Sequence, residues 1–204
     1  IEADERFRPA LEDISKAYPD KLSVVMGDAL KINPNEIFEG GYKIVANLPY
    51  NIATPLLIKW LSQSPIRWDS LTLMFQKEVA QRICAQPGHD AYGRLAVLSN
   101  WLADTTIEFD VSADVFVPPP KVTSTIVTLV PREQPLAEAD LSILEKVTAA
   151  AFGQRRKMLR ASLKQITPEA ESILLACNID PTRRAETLTI EEFCALSRAL
   201  KEYL

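Results

Sequence analysis

"VANLPYNIATP", residues 45–55, is the stretch whose reading decides the fold. A run of strand formers, Lys43-Ile44-Val45-Ala46, stops abruptly on Asn47-Leu48-Pro49-Tyr50. Thr54-Pro55 then opens a helical pattern, with Thr54 expected as N-cap and Pro55 in the first turn. Strand, sharp polar turn and helix is the repeating unit of an α/β sheet protein. The same alternation runs outward on both sides. Residues 4–18 read as a helix, with Phe7, Leu11 and Ile14 at helical spacing, and "LSVVMGDAL" as a buried strand (22–26) ending in a turn. Downstream, "SLTLMFQ" is a strand, "KEVAQRICAQ" and "RLAVLSNWLA" are helices, and "TTIEFDVS" and "TSTIVTLV" are β-branched strands flanking the proline-rich loop "ADVFVPPPKV". Short apolar strands separated by helices predict a mostly parallel sheet covered on both faces.

The texture changes near residue 133. "PREQPLAEAD" is a polar linker, and everything after it reads as helix: "LSILEKVTAAAF", "RRKMLRASLK", "TPEAESILLAC", and "TIEEFCALSRALKEYL" with a Thr189/Glu192 capping box. Two domains are therefore expected, an α/β domain over 1–132 and a small all-α domain over 133–204. The chain opens on Ile1 with "IEADERF", which reads as a strand end running into a helix. This predicts a piece of a longer protein.

With 47% hydrophobic and 25% charged residues the composition is that of an ordinary globular protein. No apolar run approaches the ~18 residues needed to cross a bilayer, so no membrane partner is expected. The three cysteines, Cys84, Cys177 and Cys194, are odd in number and scattered through helix-like patterns. They read as free core thiols of a reducing compartment, which points to the cytoplasm. A single histidine, His89, builds no metal site, so no metal is expected. The net charge of −4 argues against wholesale coating by nucleic acid but leaves room for a local basic surface.

In an open α/β sheet, ligands sit beyond the carboxyl ends of the strands. Glu2, Asp28 and Asn47 each end a strand and would lie along one edge. An acid at the end of a second strand accepts ribose hydroxyls of a nucleotide-containing cofactor, and Glu2 fits that role. Asp28 fits an adenine amino group. Alone, an acid at a strand end is usually a helix cap or a solvated turn residue. Asn47-Leu48-Pro49-Tyr50 is sharper. If the substrate is the exocyclic amine of an adenine, its nitrogen lone pair is delocalised into the ring. Two acceptors, the Asn47 side-chain oxygen and the Leu48 carbonyl, would grip its two N–H groups and aim the lone pair. Pro49 would stiffen the carbonyl, and Tyr50 would stack on a base taken out of its helix. The plain alternative is an ordinary strand-to-helix turn.

On these residues the sequence resembles the KsgA/RsmA family, the small-subunit ribosomal RNA adenine N6,N6-dimethyltransferases. "IEAD", "GDAL" and "NLPYNIATPLL" look like its ribose-binding, adenine-binding and catalytic motifs. "FQKEVAQRI", "YGRLAVL", "FVPPPKVTSTIV" and "AFGQRRKMLRASL" match further family blocks, so the match spans essentially the whole chain. The resemblance implies a Rossmann-like class I methyltransferase domain, S-adenosyl-L-methionine as cofactor, and dimethylation of two adjacent adenosines near the 3′ end of 16S rRNA. It implies cofactor binding by Glu2, Asp28, Ala29 and Asn47, and target-base binding by Asn47, Leu48, Pro49 and Tyr50, with Phe116 against the other face of the base. The partner it implies is the small ribosomal subunit, met during ribosome biogenesis by a monomer. The family's glycine-rich loop would precede Ile1, so this chain by itself is expected to be inactive and to bind the cofactor weakly or not at all.

"FGQRRKMLRASLK" carries Arg155, Arg156, Lys157, Arg160 and Lys164 without an acid, and Arg183-Arg184 adds a second cluster. Against an acidic background the run is read as a contact with RNA phosphates, the alternative being a solvated helix face. Two other functions compete with the small-subunit reading. One is a 23S rRNA methyltransferase of the macrolide-resistance type. The other is a non-catalytic ribosome-assembly factor that keeps the fold and binds RNA.

Overall fold

The computed structural model describes residues 1–204. The chain divides into two compact units, one of residues 1–42 and 49–67, the other of residues 43–48 and 68–204.

In the first unit, a 3-10 turn (Glu5–Phe7) leads into α1 (Arg8–Ala17). The turn starts on Asp4, whose carboxylate accepts from the Arg6 N–H. The expected strand over 22–26 reduces to one parallel bridge, Glu2 to Met26. A strand exists only as far as a neighbour's backbone receives its ladder, and Glu2 is the residue that pairs with it. Helix α2 (Tyr50–Leu61) begins earlier than its sequence suggests. Pro49, not Thr54, is the N-cap: its carbonyl accepts from Ile52 and Ala53 at 3.0 and 3.1 Å. Pro55 therefore lies inside the helix, where it withholds one N–H from the ladder. Leu56, Leu57, Trp60 and Leu61 form its buried side.

The second unit is built on a four-stranded sheet in the order β1 (Tyr42–Asn47), β2 (Trp68–Gln76), β4 (Ser124–Pro131), β3 (Ala103–Val111). β4 is antiparallel to both β2 and β3, which corrects the expectation of a mostly parallel sheet. The reason is the connection: β3 and β4 are joined by a loop with one 3-10 turn, and only a helical crossover brings a strand back parallel. Leu71, Leu73 and Phe75 of β2 and Val127 and Leu129 of β4 are fully buried. α3 (Lys77–Cys84) and α4 (Arg94–Leu102) supply Ala80, Ile83, Ala96 and Val97 to the same core. Truncating one such leucine to alanine costs about 2–5 kcal/mol, because the cavity left behind closes only partly.

The all-helical segment follows: α5 (Leu141–Gly153), α6 (Leu159–Ser162), α7 (Ala170–Ala176) and α8 (Ile190–Leu200). The linker before α5 is fastened to α4, with Leu136 N–H on the Trp101 carbonyl at 2.9 Å and Trp101 Nε1 on the Ala137 carbonyl at 2.7 Å. Asp140 caps α5 by accepting from Ser142 and Ile143. The capping box of α8 forms as expected: the Thr189 hydroxyl accepts from Glu192 N–H and Glu192 Oε2 from Thr189 N–H. The three cysteines are free.

Tyr92, in the loop between α3 and α4, is fully buried, edge-on to Phe152, which lies against Phe193. Its hydroxyl finds no hydrogen-bond partner. Burying an unpaired hydroxyl costs about 1–3 kcal/mol, which removing it recovers. Tyr92→Phe is therefore expected to raise the urea midpoint, whereas Tyr92→Ala lowers it steeply. A lower midpoint for Tyr92→Phe would show that the hydroxyl is held.

Candidate active site

The first unit brings Glu2 and Asp28 together. Glu2 N–H donates to the Val25 carbonyl at 3.0 Å, and Gly27 N–H donates to the Glu2 carbonyl at 2.8 Å. Gly27 has φ +157°, and a Cβ there would lie 3.0 Å from Ile32 Cδ1, so the turn that presents Asp28 favours glycine. One oxygen of each acid is used locally. Glu2 Oε1 accepts from Asp4 N–H at 2.7 Å, and Asp28 Oδ1 accepts from Leu30 N–H at 2.9 Å. The Asp28 carbonyl accepts from Lys31 and Ile32. One carboxylate oxygen on each acid and the N–H of Ala29 are left without a hydrogen bond. An acceptor next to a donor complements the amino-and-ring-nitrogen edge of adenine, and a second carboxylate suits a pair of sugar hydroxyls.

A lysine that sequence reasoning missed holds this segment. Lys59, on α2, donates to the carbonyls of Leu30 and Ile32 at 2.7 Å each and of Ala29 at 3.3 Å. All three donors of the ammonium are spent on the loop that follows Asp28. Nothing in the spacing of α2 marks Lys59, since its partners are 27 to 30 residues away.

β1 ends on Asn47, which is exposed; Leu48 is half-buried. Both belong to the second unit, whereas Pro49 and Tyr50 start α2 in the first. Pro49 has φ −54° and ψ 133°. Its ring allows little else for φ, so the Leu48 carbonyl before it is held in direction. Tyr50, half-buried, is the first helical residue.

Phe116 lies in the loop between β3 and β4, half-buried, directly after a 3-10 turn (Ala113–Val115), with its N–H on the Ala113 carbonyl. That loop sits at the carboxyl end of β2: Ser124 is in register with Gln76, and Lys77 N–H donates to the Thr123 carbonyl at 3.0 Å.

The basic segment is not the single helix expected over 155–164. α5 stops at Gly153, residues 154–157 turn, and α6 starts only at Leu159. Tertiary contacts set that restart, because Leu159 and Arg160 N–H groups donate to the carbonyls of Arg183 and Pro181. Arg155, Arg156, Lys157 and Lys164 are exposed and Arg160 half-buried. Arg155 bonds the Asp90 carbonyl, and Arg160 lies 3.5 Å from Glu171. Arg183 departs from the reading of a second basic cluster. It is spent on Glu192, at 2.9 Å to Oε2, and on Thr187, so it ties α8 to the preceding loop.

The family profile described as ribosomal RNA adenine dimethylase matches residues 1–202. A protein of Ruegeria sp. (strain TM1040), named ribosomal RNA small subunit methyltransferase A, is 52% identical over 99% of this chain and 73% of its own length. A protein of the same name from Allorhizobium ampelinum is 56% identical over 98% of the chain and 73% of its own length. Among solved structures, a dimethyladenosine transferase from Plasmodium falciparum superimposes with a TM-score of 0.84 at 25% identity, covering 98% of this chain and 80% of that one. The 23S rRNA methyltransferase ErmE, 24% identical over the same shares, has the same fold with a TM-score of 0.70. The fold is thus that of a Rossmann-like methyltransferase. The chain belongs to the ribosomal RNA adenine dimethylase family.

Lys59→Met should free the loop after Asp28 while leaving α2 helical. Hydrogen exchange read by mass spectrometry is expected to speed up over residues 29–32 with little change elsewhere. Unaltered exchange there would mean that the loop holds itself.

Proposed function

We propose that this protein dimethylates N6 of two adjacent adenosines near the 3′ end of 16S rRNA, with S-adenosyl-L-methionine as methyl donor, during biogenesis of the small ribosomal subunit. The observation that carries the reading is the end of β1: an exposed amide side chain, a carbonyl aimed by Pro49, and an aromatic ring, in a chain of the adenine dimethylase family. The small-subunit substrate is supported by the names of relatives at 52% and 56% identity.

The residues present suit the donor. The free oxygen of Glu2 is an acceptor for ribose hydroxyls, and Asp28 with the Ala29 N–H complements the adenine edge; Asn47 borders the cofactor as well as the target. When bound, S-adenosyl-L-methionine would supply an electrophilic methyl group on a sulfonium, the S–CH3 bond breaking to leave a neutral thioether. The protein's own work is on the acceptor. The Asn47 side-chain oxygen and the Leu48 carbonyl each accept an N–H of the adenine amine, drawing N6 out of conjugation and pointing its lone pair. Tyr50 and Phe116 stack on the two faces of the extruded ring, offsetting part of the cost of unstacking it. The proton that N6 carries after transfer leaves to water, and the cycle repeats on the remaining N–H.

The second half of the reading concerns docking. Arg155, Arg156, Lys157, Arg160 and Lys164, in a helical domain over 133–204, contact RNA phosphates, which fix orientation without reading sequence. No helix is long and apolar enough to cross a membrane, which suits an enzyme of cytoplasmic ribosome assembly.

Labelled methyl transfer to unmethylated 30S particles, mapped by primer extension, tests the reaction. Two adjacent modified adenosines near the 3′ end are expected, and label on 23S rRNA instead would move the assignment to the macrolide-resistance type. Asn47→Ala should cut the transfer rate by about 100-fold or more, the loss seen when one preorganised hydrogen-bonding group is removed from a reacting centre. Arg156→Glu should weaken subunit binding and lower the slope of log affinity against log salt by about one contact or more. A slope equal to that of the unaltered protein would leave the basic turn a solvated surface.

A further inference from the structure

"FQKEVA" contributes no residue to the site as described, yet its lysine is built into the root of the Phe116 loop. Lys77 Nζ donates to Asp110 Oδ2 at 2.6 Å. The Thr125 hydroxyl donates to Asp110 Oδ1 at 2.6 Å. Both oxygens of one carboxylate are thereby committed, one to the first residue of α3 and one to β4. Lys77 also reaches the loop through its backbone, with its N–H on the Thr123 carbonyl. Asp110 and Thr125 are cross-strand partners one step inside the loop, which hangs from the next pair, Val111 and Ser124. The three side chains therefore tie together β3, β4 and the start of α3 where the loop leaves the sheet.

A backbone irregularity makes this possible. In β3, Ile107 pairs with Val127 and Phe109 with Ile126, so Glu108 is an extra residue. Were the same residues to run on without the bulge, 108 would pair with 126, 109 with 125 and 110 with 124. Asp110 would then face Ser124, with its side chain turned to the other side of the sheet. Bulges of this kind re-aim a side chain beside a functional site. Here the bulge sets Asp110 on the same face as Thr125, which is only 1% exposed. Hydrogen bonds from Lys77 and Thr125 hold the Asp110 carboxyl below the usual carboxylate range.

Stability alone is a poor reason for this arrangement. The Lys77 and Asp110 side chains are 49% and 45% exposed, and ion pairs that open to water add little to folding. We propose that Lys77, Asp110 and Thr125 are positioning residues that fix both stems of the 112–123 loop and so aim Phe116 at the extruded adenine. This rests on the reading of Phe116 as a stacking residue.

The test uses the complete protein with 30S particles, and a short RNA carrying 2-aminopurine at the target position. Lys77→Met and Asp110→Asn are each expected to lower kcat by about 10-fold while leaving KM for the particle within about 2-fold, as misaim of a reacting group does. The double variant should lose no more than either single one, because both act through one link. Lys77→Arg should recover most of the rate, and melting temperatures should stay near that of the unaltered protein. The fluorescence of the extruded 2-aminopurine, quenched by stacking, should rise in Lys77→Met and likewise in Phe116→Ala. Full kcat in both single variants, or losses that multiply in the double variant, would overturn the network even where Phe116→Ala is impaired. Full activity of Phe116→Ala would instead remove the stacking reading, and this inference with it.

Discussion

Strand β4 has to be paired along both of its edges. Val127 and Leu129 are fully buried, and a strand in that position tolerates no unmatched backbone groups. β2 takes one edge and β3 the other, both antiparallel. From this follows where Ser124 sits, opposite both Gln76 and Val111, and so where the 112–123 loop and the start of α3 converge. The carboxyl end of β2 becomes a junction of a strand, a helix start and a stiff proline-rich loop. The chemistry assigned to Phe116 and the role assigned to Lys77 both depend on that convergence.

The same economy is visible in the first unit. A turn after Met26 presents Asp28, and the loop behind it is held by a single ammonium with three carbonyls to serve. Sparse backbone pairing around Glu2 and Met26 makes Lys59 matter more than a lysine on a helix ordinarily does. The helix that carries it starts from Pro49, so the residue that aims the Leu48 carbonyl also sets the start of α2. The direction of the Leu48 carbonyl and the support of the loop after Asp28 thus trace back to one stretch of chain.

Cationic residues in this protein divide by what their donors touch. Arg183, Lys59 and Lys77 are spent on carbonyls and carboxylates within the fold. Arg156 and Lys157 stand exposed on a turn. A count of charges along "FGQRRKMLRASLK" and "TRRAE" treats them alike. Only the partners separate a structural guanidinium from one available to a phosphate.

By itself the sequence determined what is decided within a few residues. The Thr189/Glu192 box, the stop of β1 at Asn47-Leu48-Pro49, the strands at 70–76 and 123–130, and the family motifs are all local patterns, and all are present. Where a distant partner makes the choice, local pattern misleads. Thr54 has cap chemistry, but the Pro49 carbonyl takes the first N–H groups. Residues 155–164 have helical composition, but the carbonyls of Pro181 and Arg183 capture the N–H groups that would have continued the helix. Residues 22–26 have strand composition but find only one bridge. The Lys77–Asp110–Thr125 link needs a bulge at Glu108 and a hairpin register to exist at all, and neither is written in any window of the sequence. Backbone groups and charges are satisfied by whatever lies nearest in space, and that is a property of the packed chain.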